Sequence, residues 1–115
     1  MLAACFALRA QTGPRYQVAA MKGVMVAMRD GVKLATDIYR PGANGAAVNG
    51  KFPALLERTP YGKERGADAA AQYYVPRGYV LVRQDVRGRC QSEGRWRPIV
   101  DDSNDGSDTA AWIGA

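Results

Sequence analysis

Lys51-Phe52-Pro53-Ala54-Leu55-Leu56-Glu57-Arg58-Thr59-Pro60-Tyr61-Gly62 is the stretch that decides the fold. Phe52, Ala54, Leu55 and Leu56 form a nearly continuous apolar run. Such a run suits a parallel strand covered on both faces. Pro60 ends it, because proline cannot donate to a central ladder and holds the residue before it extended. Tyr61 and Gly62 then fall in a loop just past the C-terminal end of the strand, the edge of an open α/β sheet where ligands bind. There a tyrosine can offer its phenolic O–H to a substrate oxygen. The plainer reading is a loop aromatic packed on its neighbours.

Downstream, Asp68 is placed to cap a short helix over Ala69–Tyr74, which Val75-Pro76-Arg77-Gly78 stops. Tyr79–Asp85 follows as a second buried strand. Strand, helix and strand at this spacing make a right-handed βαβ crossover with parallel strands. Asp85-Val86-Arg87-Gly88-Arg89-Cys90-Gln91-Ser92-Glu93-Gly94 is again a loop at a strand's C-terminal end. Asp85 and Arg87 are suited to pair and clamp it, and Gly88 and Gly94 supply tight turns. Simple loop architecture is the preferred reading of its Arg-Gly and Glu-Gly pieces.

Upstream, Gln17–Met28 reads as a strand. The next strand alternates, with Val32, Leu34, Thr36 and Ile38 on one face and Lys33, Ala35, Asp37 and Tyr39 on the other. Asp30-Gly31 between them is a hairpin signal, since both residues tolerate positive φ, so this pair is antiparallel. Pro41 is expected to close it, leaving 42–50 as a surface loop with turns at Asn44 and Asn49. A last helix is expected from about Ser103, with Thr109, Trp112 and Ile113 on its apolar face. Carboxylates near its start suit the helix dipole. The spacing of Asp101, Asp102, Asp105 and Asp108 is not that of a calcium loop.

The 115 residues suffice for about one small domain. The net charge of +5 is spread out, with one dense group at Arg87, Arg89, Arg95 and Arg97. Asp85 and Glu93 interrupt that group and no aromatic ladder accompanies it, so the charge reads as solubility rather than nucleic-acid binding. Histidine is absent, which excludes a His base, a Ser-His-Asp triad and a His-ligated metal within these residues. Cys5 and Cys90 make neither a disulfide framework nor a zinc site, and Cys90 has no visible base.

Residues 1–15 read as a signal-peptide remnant and linker. Leu2, Ala3, Ala4, Phe6, Ala7 and Leu8 are small and apolar, too few to span a bilayer, and Gly13-Pro14 is a breaker. Leu2-Ala3-Ala4-Cys5 also looks like a lipoprotein cleavage box, although only Met1 precedes it. Export to a secreted or periplasmic location is preferred over an untargeted N-terminus.

These pieces in this order carry a resemblance. Val24–Pro41 resembles the opening hairpin of CocE/NonD-type hydrolases, the serine esterases and peptidases grouped with cocaine esterase, Xaa-Pro dipeptidyl-peptidase and α-amino acid ester hydrolase. Arg58-Thr59-Pro60-Tyr61-Gly62-Lys63 is similar to the family's Arg-x-Pro-Tyr loop. Asp85-x-Arg87-Gly88-x-x-x-Ser92-Glu93-Gly94 is similar to its Asp-x-Arg-Gly-x-x-x-Ser-Glu-Gly loop, and Asp108-Thr109-x-x-Trp112-Ile113 to the helix that leads to the nucleophile.

The resemblance implies an α/β class chain: the N-terminal part of an α/β-hydrolase fold, an antiparallel hairpin followed by a βαβ crossover into a parallel sheet. It implies that the Tyr61 hydroxyl is one arm of an oxyanion hole in a serine hydrolase cleaving small-molecule ester, amide or peptide bonds. No cofactor, metal, nucleic acid or membrane is implied. The chain departs from the family in having no Gly-x-Ser-x-Gly-like elbow. Ser92 lies in an Arg-Gly loop, and Ser103 and Ser107 at a helix start. Residues 16–115 are therefore expected to be a catalytic domain's N-terminal part, incomplete before the nucleophile and inactive alone. The alternative is a small non-enzymatic α/β binding module.

Overall fold

The structure, a computed structural model, describes residues 13–115. The leader-like features, and Cys5 with them, lie outside the described residues. Five strands form one mixed sheet: β1 (Gln17–Ala27), β2 (Lys33–Ala43), β3 (Ala46–Ala47), β4 (Ala54–Thr59) and β5 (Val80–Asp85). Their order is β1-β2-β5-β4, with the short β3 on β2. β1 and β2 are antiparallel, as are β2 and β5, whereas β4 and β5 are parallel from Ala54↔Val80 to Thr59↔Asp85. Helix α1 (Ala67–Tyr74) joins the two parallel strands through a 3₁₀ turn, Val75–Arg77. Helix α2 (Asp102–Gly114) follows the loop after β5.

Local chemistry explains these elements and corrects several expectations. The β1–β2 turn is a three-residue one: Gly31 N–H donates to Met28 O (2.9 Å) and Met28 N–H to Val32 O (2.8 Å). Gly31 alone of the Asp30-Gly31 pair takes positive φ (86°). The two-residue mirror-image turn falls instead at Asn44 (φ 55°) and Gly45 (φ 81°), leading from β2 into β3. Pro41 therefore does not close β2. It pairs with Val18, and its carbonyl still accepts from Val48 N–H at 2.9 Å. Helix α1 begins one residue before Asp68, behind Gly66 in the left-handed conformation (φ 71°), and no side chain caps it.

The β2 alternation holds, and side chains of opposite parity meet different helices. On one face Tyr39 and Leu81 pack with Ala67, Ala71 and Val75 of the α1 segment. Burial, followed by the Asp37 carboxylate, holds the Tyr39 phenol above its usual pKa. On the other face Gln84 donates to Thr36 and accepts from Thr109 of α2. Strand β5 is the enclosed one, with Leu81 through Asp85 all buried. β4 differs from the buried strand expected: Ala54 is exposed and Leu55 and Leu56 are half-buried. Its neighbour on one side is β5, and no described strand pairs with its other edge.

Helix α2 docks through charge. Asp105, buried, accepts from Arg87 at 2.8 and 2.9 Å, and Asp108 accepts from Arg29 at 2.7 Å. Asp101 pairs with Arg97 at 2.7 Å, and Asp102 with Arg58 at 3.6 Å. Asp101, Asp102, Asp105 and Asp108 are thus each matched to an arginine.

Candidate functional site at the ends of the parallel strands

The loops leaving β4 and β5 lie side by side at the C-terminal end of the parallel pair. Val86 N–H donates to Thr59 O (3.1 Å), extending the ladder one step past the strands. Tyr61 sits on the first loop, where the sequence places it. Its backbone N–H donates to Thr59 Oγ1 (3.1 Å), a local turn that a threonine before proline favours. Arg89 reaches across from the second loop to donate to Pro60 O (3.1 Å), with its guanidinium 4.7 Å from the Trp96 ring centroid. The Tyr61 side chain is 72% exposed, so an anchored backbone presents a phenol to solvent.

Asp85 ties the two loops together. Its Oδ1 accepts from Lys63 N–H (2.7 Å) and its Oδ2 from Gln91 N–H (3.1 Å). This corrects the expected Asp85–Arg87 clamp. Alternation turns neighbouring-but-one side chains to the same face within a strand, but β5 ends at Asp85, and the chain then turns Arg87 toward Asp30 and Asp105. Those two carboxylates hold the Arg87 guanidinium well above its ordinary pKa. Arg87 and, after it, the Val32 N–H hold Asp30 below the usual carboxylate range.

Gly88 (φ 72°) is fixed by close approach: a Cβ there would run into Trp96 N and lie 2.5 Å from Arg95 C. Its N–H donates to Glu93 O (2.9 Å), closing the loop. Ser92 is consumed structurally. Its hydroxyl donates to Asp85 O (2.6 Å) and accepts from Ala35 N–H (2.8 Å), so its proton is committed to a backbone carbonyl rather than to a base. Cys90 is exposed with φ 51° beside a cleft of about 200 Å³, which Gly62, Lys63, Asp85 and Gln91 also line. Among the described residues no group of three or more His, Cys, Asp or Glu side chains converges as a metal site would. No described helix is long and apolar enough to cross a membrane.

A larger concavity, about 690 Å³, lies away from this site. Ala54 and Val80 at the starts of the parallel strands, Ile38, Phe52 and Trp112 line it. It is the uncovered face of the sheet beside α2, and Arg40 and Lys51 also stand on its walls.

Sequence reasoning did not single out Lys63 and Asp37. Both are buried, and Lys63 Nζ lies 3.2 Å from Asp37 Oδ1. The signal was present: Asp37 is a carboxylate inside a strand whose two faces are otherwise mainly apolar, and Lys63 follows Tyr61-Gly62 directly.

A mixed sheet carrying an antiparallel hairpin and a parallel pair, with helices on its faces, places the chain in the α/β class. The chain belongs to the X-Pro dipeptidyl-peptidase (S15) family, whose model matches residues 30–115. It is 46% identical over 103 residues to cocaine esterase of Rhodococcus sp. (strain MB1 Bresler), a match covering 85% of this chain and 17% of that protein. The α-amino acid ester hydrolase structure superposes with TM-score 0.62 at 32% identity, over 85% of this chain and 19% of that one. A CocE/NonD family hydrolase from Staphylococcus aureus superposes with TM-score 0.68 at 29% identity, over 83% and 20%. The chain thus spans about a fifth of the length of the curated relatives it matches.

Proposed function

We propose that these residues serve a serine hydrolase cleaving small-molecule ester or amide bonds, and that the Tyr61 O–H stabilises the oxyanion. In such a reaction a serine adds to the acyl carbonyl, the carbonyl oxygen takes negative charge, and water later releases the acyl group. A donor fixed before the charge develops lowers the barrier without reorganising at the moment of reaction. The observation that carries this reading is the exposed Tyr61 phenol on a backbone pinned by Thr59 and Arg89. A relative named as a putative serine esterase supports a serine as the nucleophile. The described residues hold no free serine in an elbow and the sequence no histidine, so we assign nucleophile and base to other parts of the enzyme and expect residues 1–115 alone to be inactive. A non-enzymatic module draws no support from any of these contacts.

The test is turnover of a p-nitrophenyl ester by the hydrolase carrying these residues, with and without Tyr61→Phe. Loss of the hydroxyl is expected to lower kcat by about 10²- to 10³-fold with KM little changed. An unchanged kcat would remove Tyr61 from the mechanism.

A further inference from the structure

We propose that Lys63 is a positioning residue for Tyr61, acting through a buried strut that runs from the β1 bulge to the two site loops. The inference rests on the oxyanion reading above and adds the group that holds the donor in place.

The strut begins at Gly23. The β1–β2 register slips between Met21 and Val24, and Gly23 (φ 70°) takes a conformation that side-chain-bearing residues avoid. The slip frees the Gly23 N–H from the ladder, and it donates to Asp37 Oδ1 at 2.8 Å. The same oxygen lies 3.2 Å from Lys63 Nζ, in a pair whose side chains are 0% and 3% exposed. Lys63 Nζ also donates to Gln91 Oε1 at 2.9 Å, and Glu64 approaches it at 3.9 Å from the surface. The Lys63 backbone N–H is held separately by Asp85. Asp37 Oδ2 is buried with no partner among the described residues, so Lys63 is the cation that neutralises this carboxylate.

A buried ion pair is weak evidence of a contribution to stability, because desolvation offsets its attraction. What it does well is fix geometry: an ammonium with two acceptors on two different elements has one arrangement. Here it locks the loop bearing Tyr61, two residues away, to β2 and to the loop after β5. Thr59 and Pro60 anchor the N-terminal side of Tyr61, and Lys63 anchors its C-terminal side. An oxyanion donor needs this, because its advantage depends on being in place before reaction, and displacement by about 1 Å has large rate consequences.

The test is a double-mutant cycle on the ester-hydrolysing enzyme: parent, Tyr61→Phe, Lys63→Met and both together, with thermal unfolding measured in parallel. Lys63→Met is expected to lower kcat about tenfold with KM within about twofold. In the Tyr61→Phe background it should add no further loss, because the atom it positions is gone. A Lys63→Met enzyme with unchanged kcat, or one whose loss multiplies with that of Tyr61→Phe, overturns the proposal. If Tyr61→Phe alone leaves kcat unchanged, the oxyanion reading falls, and the positioning role with it. Should Lys63→Met not fold, Gln91→Ala removes one arm of the strut from an exposed position. A fall of about two- to threefold, absent in the Tyr61→Phe background, is then expected; an unchanged kcat overturns the proposal.

Discussion

The two helices cover opposite faces of one sheet by opposite means. Helix α1 is held by shape: Ala67, Ala71 and Val75 pack on Tyr39 and Leu81. Helix α2 is held by polar side chains: Thr109 to Gln84, Asp105 to Arg87, Asp108 to Arg29. Small alanines let α1 lie close to the sheet, and the apolar contact has no directional demand. The α2 contacts are directional, and for the buried ones a polar group left without its partner costs about 1–3 kcal/mol. α1 belongs to the crossover that builds the sheet. α2 instead ties together three places: the β1–β2 turn through Arg29, the loop after β5 through Arg87, and β4 through Arg58.

The contrast breaks most visibly at the α1 face. Leu81→Ala is expected to cost about 2–5 kcal/mol in urea unfolding, with the deficit unchanged by added salt. A small or salt-dependent deficit would mean that α1 is not held by apolar packing. Next comes Arg87→Met, which strips the buried Asp105 carboxylate of its two hydrogen bonds, leaves it only Arg58 at 3.9 Å, and should cost about 3 kcal/mol. Rescue by Asp105→Asn in the same chain is the sharper measurement, since it removes the stranded charge. Thr109→Val, which keeps shape and removes the hydroxyl shared by Gln84 and Asp105, should cost about 1–2 kcal/mol.

The smallest effects are those of exposed charge. Arg29 holds the Asp108 carboxylate below its usual range, chiefly through the side-chain hydrogen bond and then its backbone N–H. A depressed folded-state pKa contributes stability above the unfolded value, near 3.9, that is lost as pH falls through the folded one. Acid unfolding should therefore steepen below about pH 4, where Asp30 and Asp108 take up protons. Asp108→Asn should flatten that limb, with its small loss of stability seen at neutral pH and fading as pH falls, and should weaken the dependence on ionic strength. An unaltered acid limb would show that this exposed pair does not help to seat α2.

Much of this was legible in the chain. Alternation over 32–39 assigned the two faces of β2, and the apolar runs around Leu55 and Val82 with a short helix between them gave a parallel pair. Breakers at Pro60 and Gly88 marked both site loops. What escaped was partnership between distant polar groups. Asp85 and Arg87 are two residues apart in sequence yet serve different neighbours, 22 and 18 residues away. Pro41 reads as a stop, but strand β2 runs through it because β3 still pairs alongside.

The sequence by itself determined the main elements apart from β3, the faces of β2 and the place of Tyr61, because periodicity and breakers act within a few residues. Only the tertiary structure decided which charges meet: Lys63 with Asp37 and Gln91, Arg87 with Asp30 and Asp105. The reason is physical. A local pattern is set by backbone geometry along one strand or helix. An ion pair is set by the register between strands and the depth at which a loop is buried, and neither quantity belongs to any single stretch of chain.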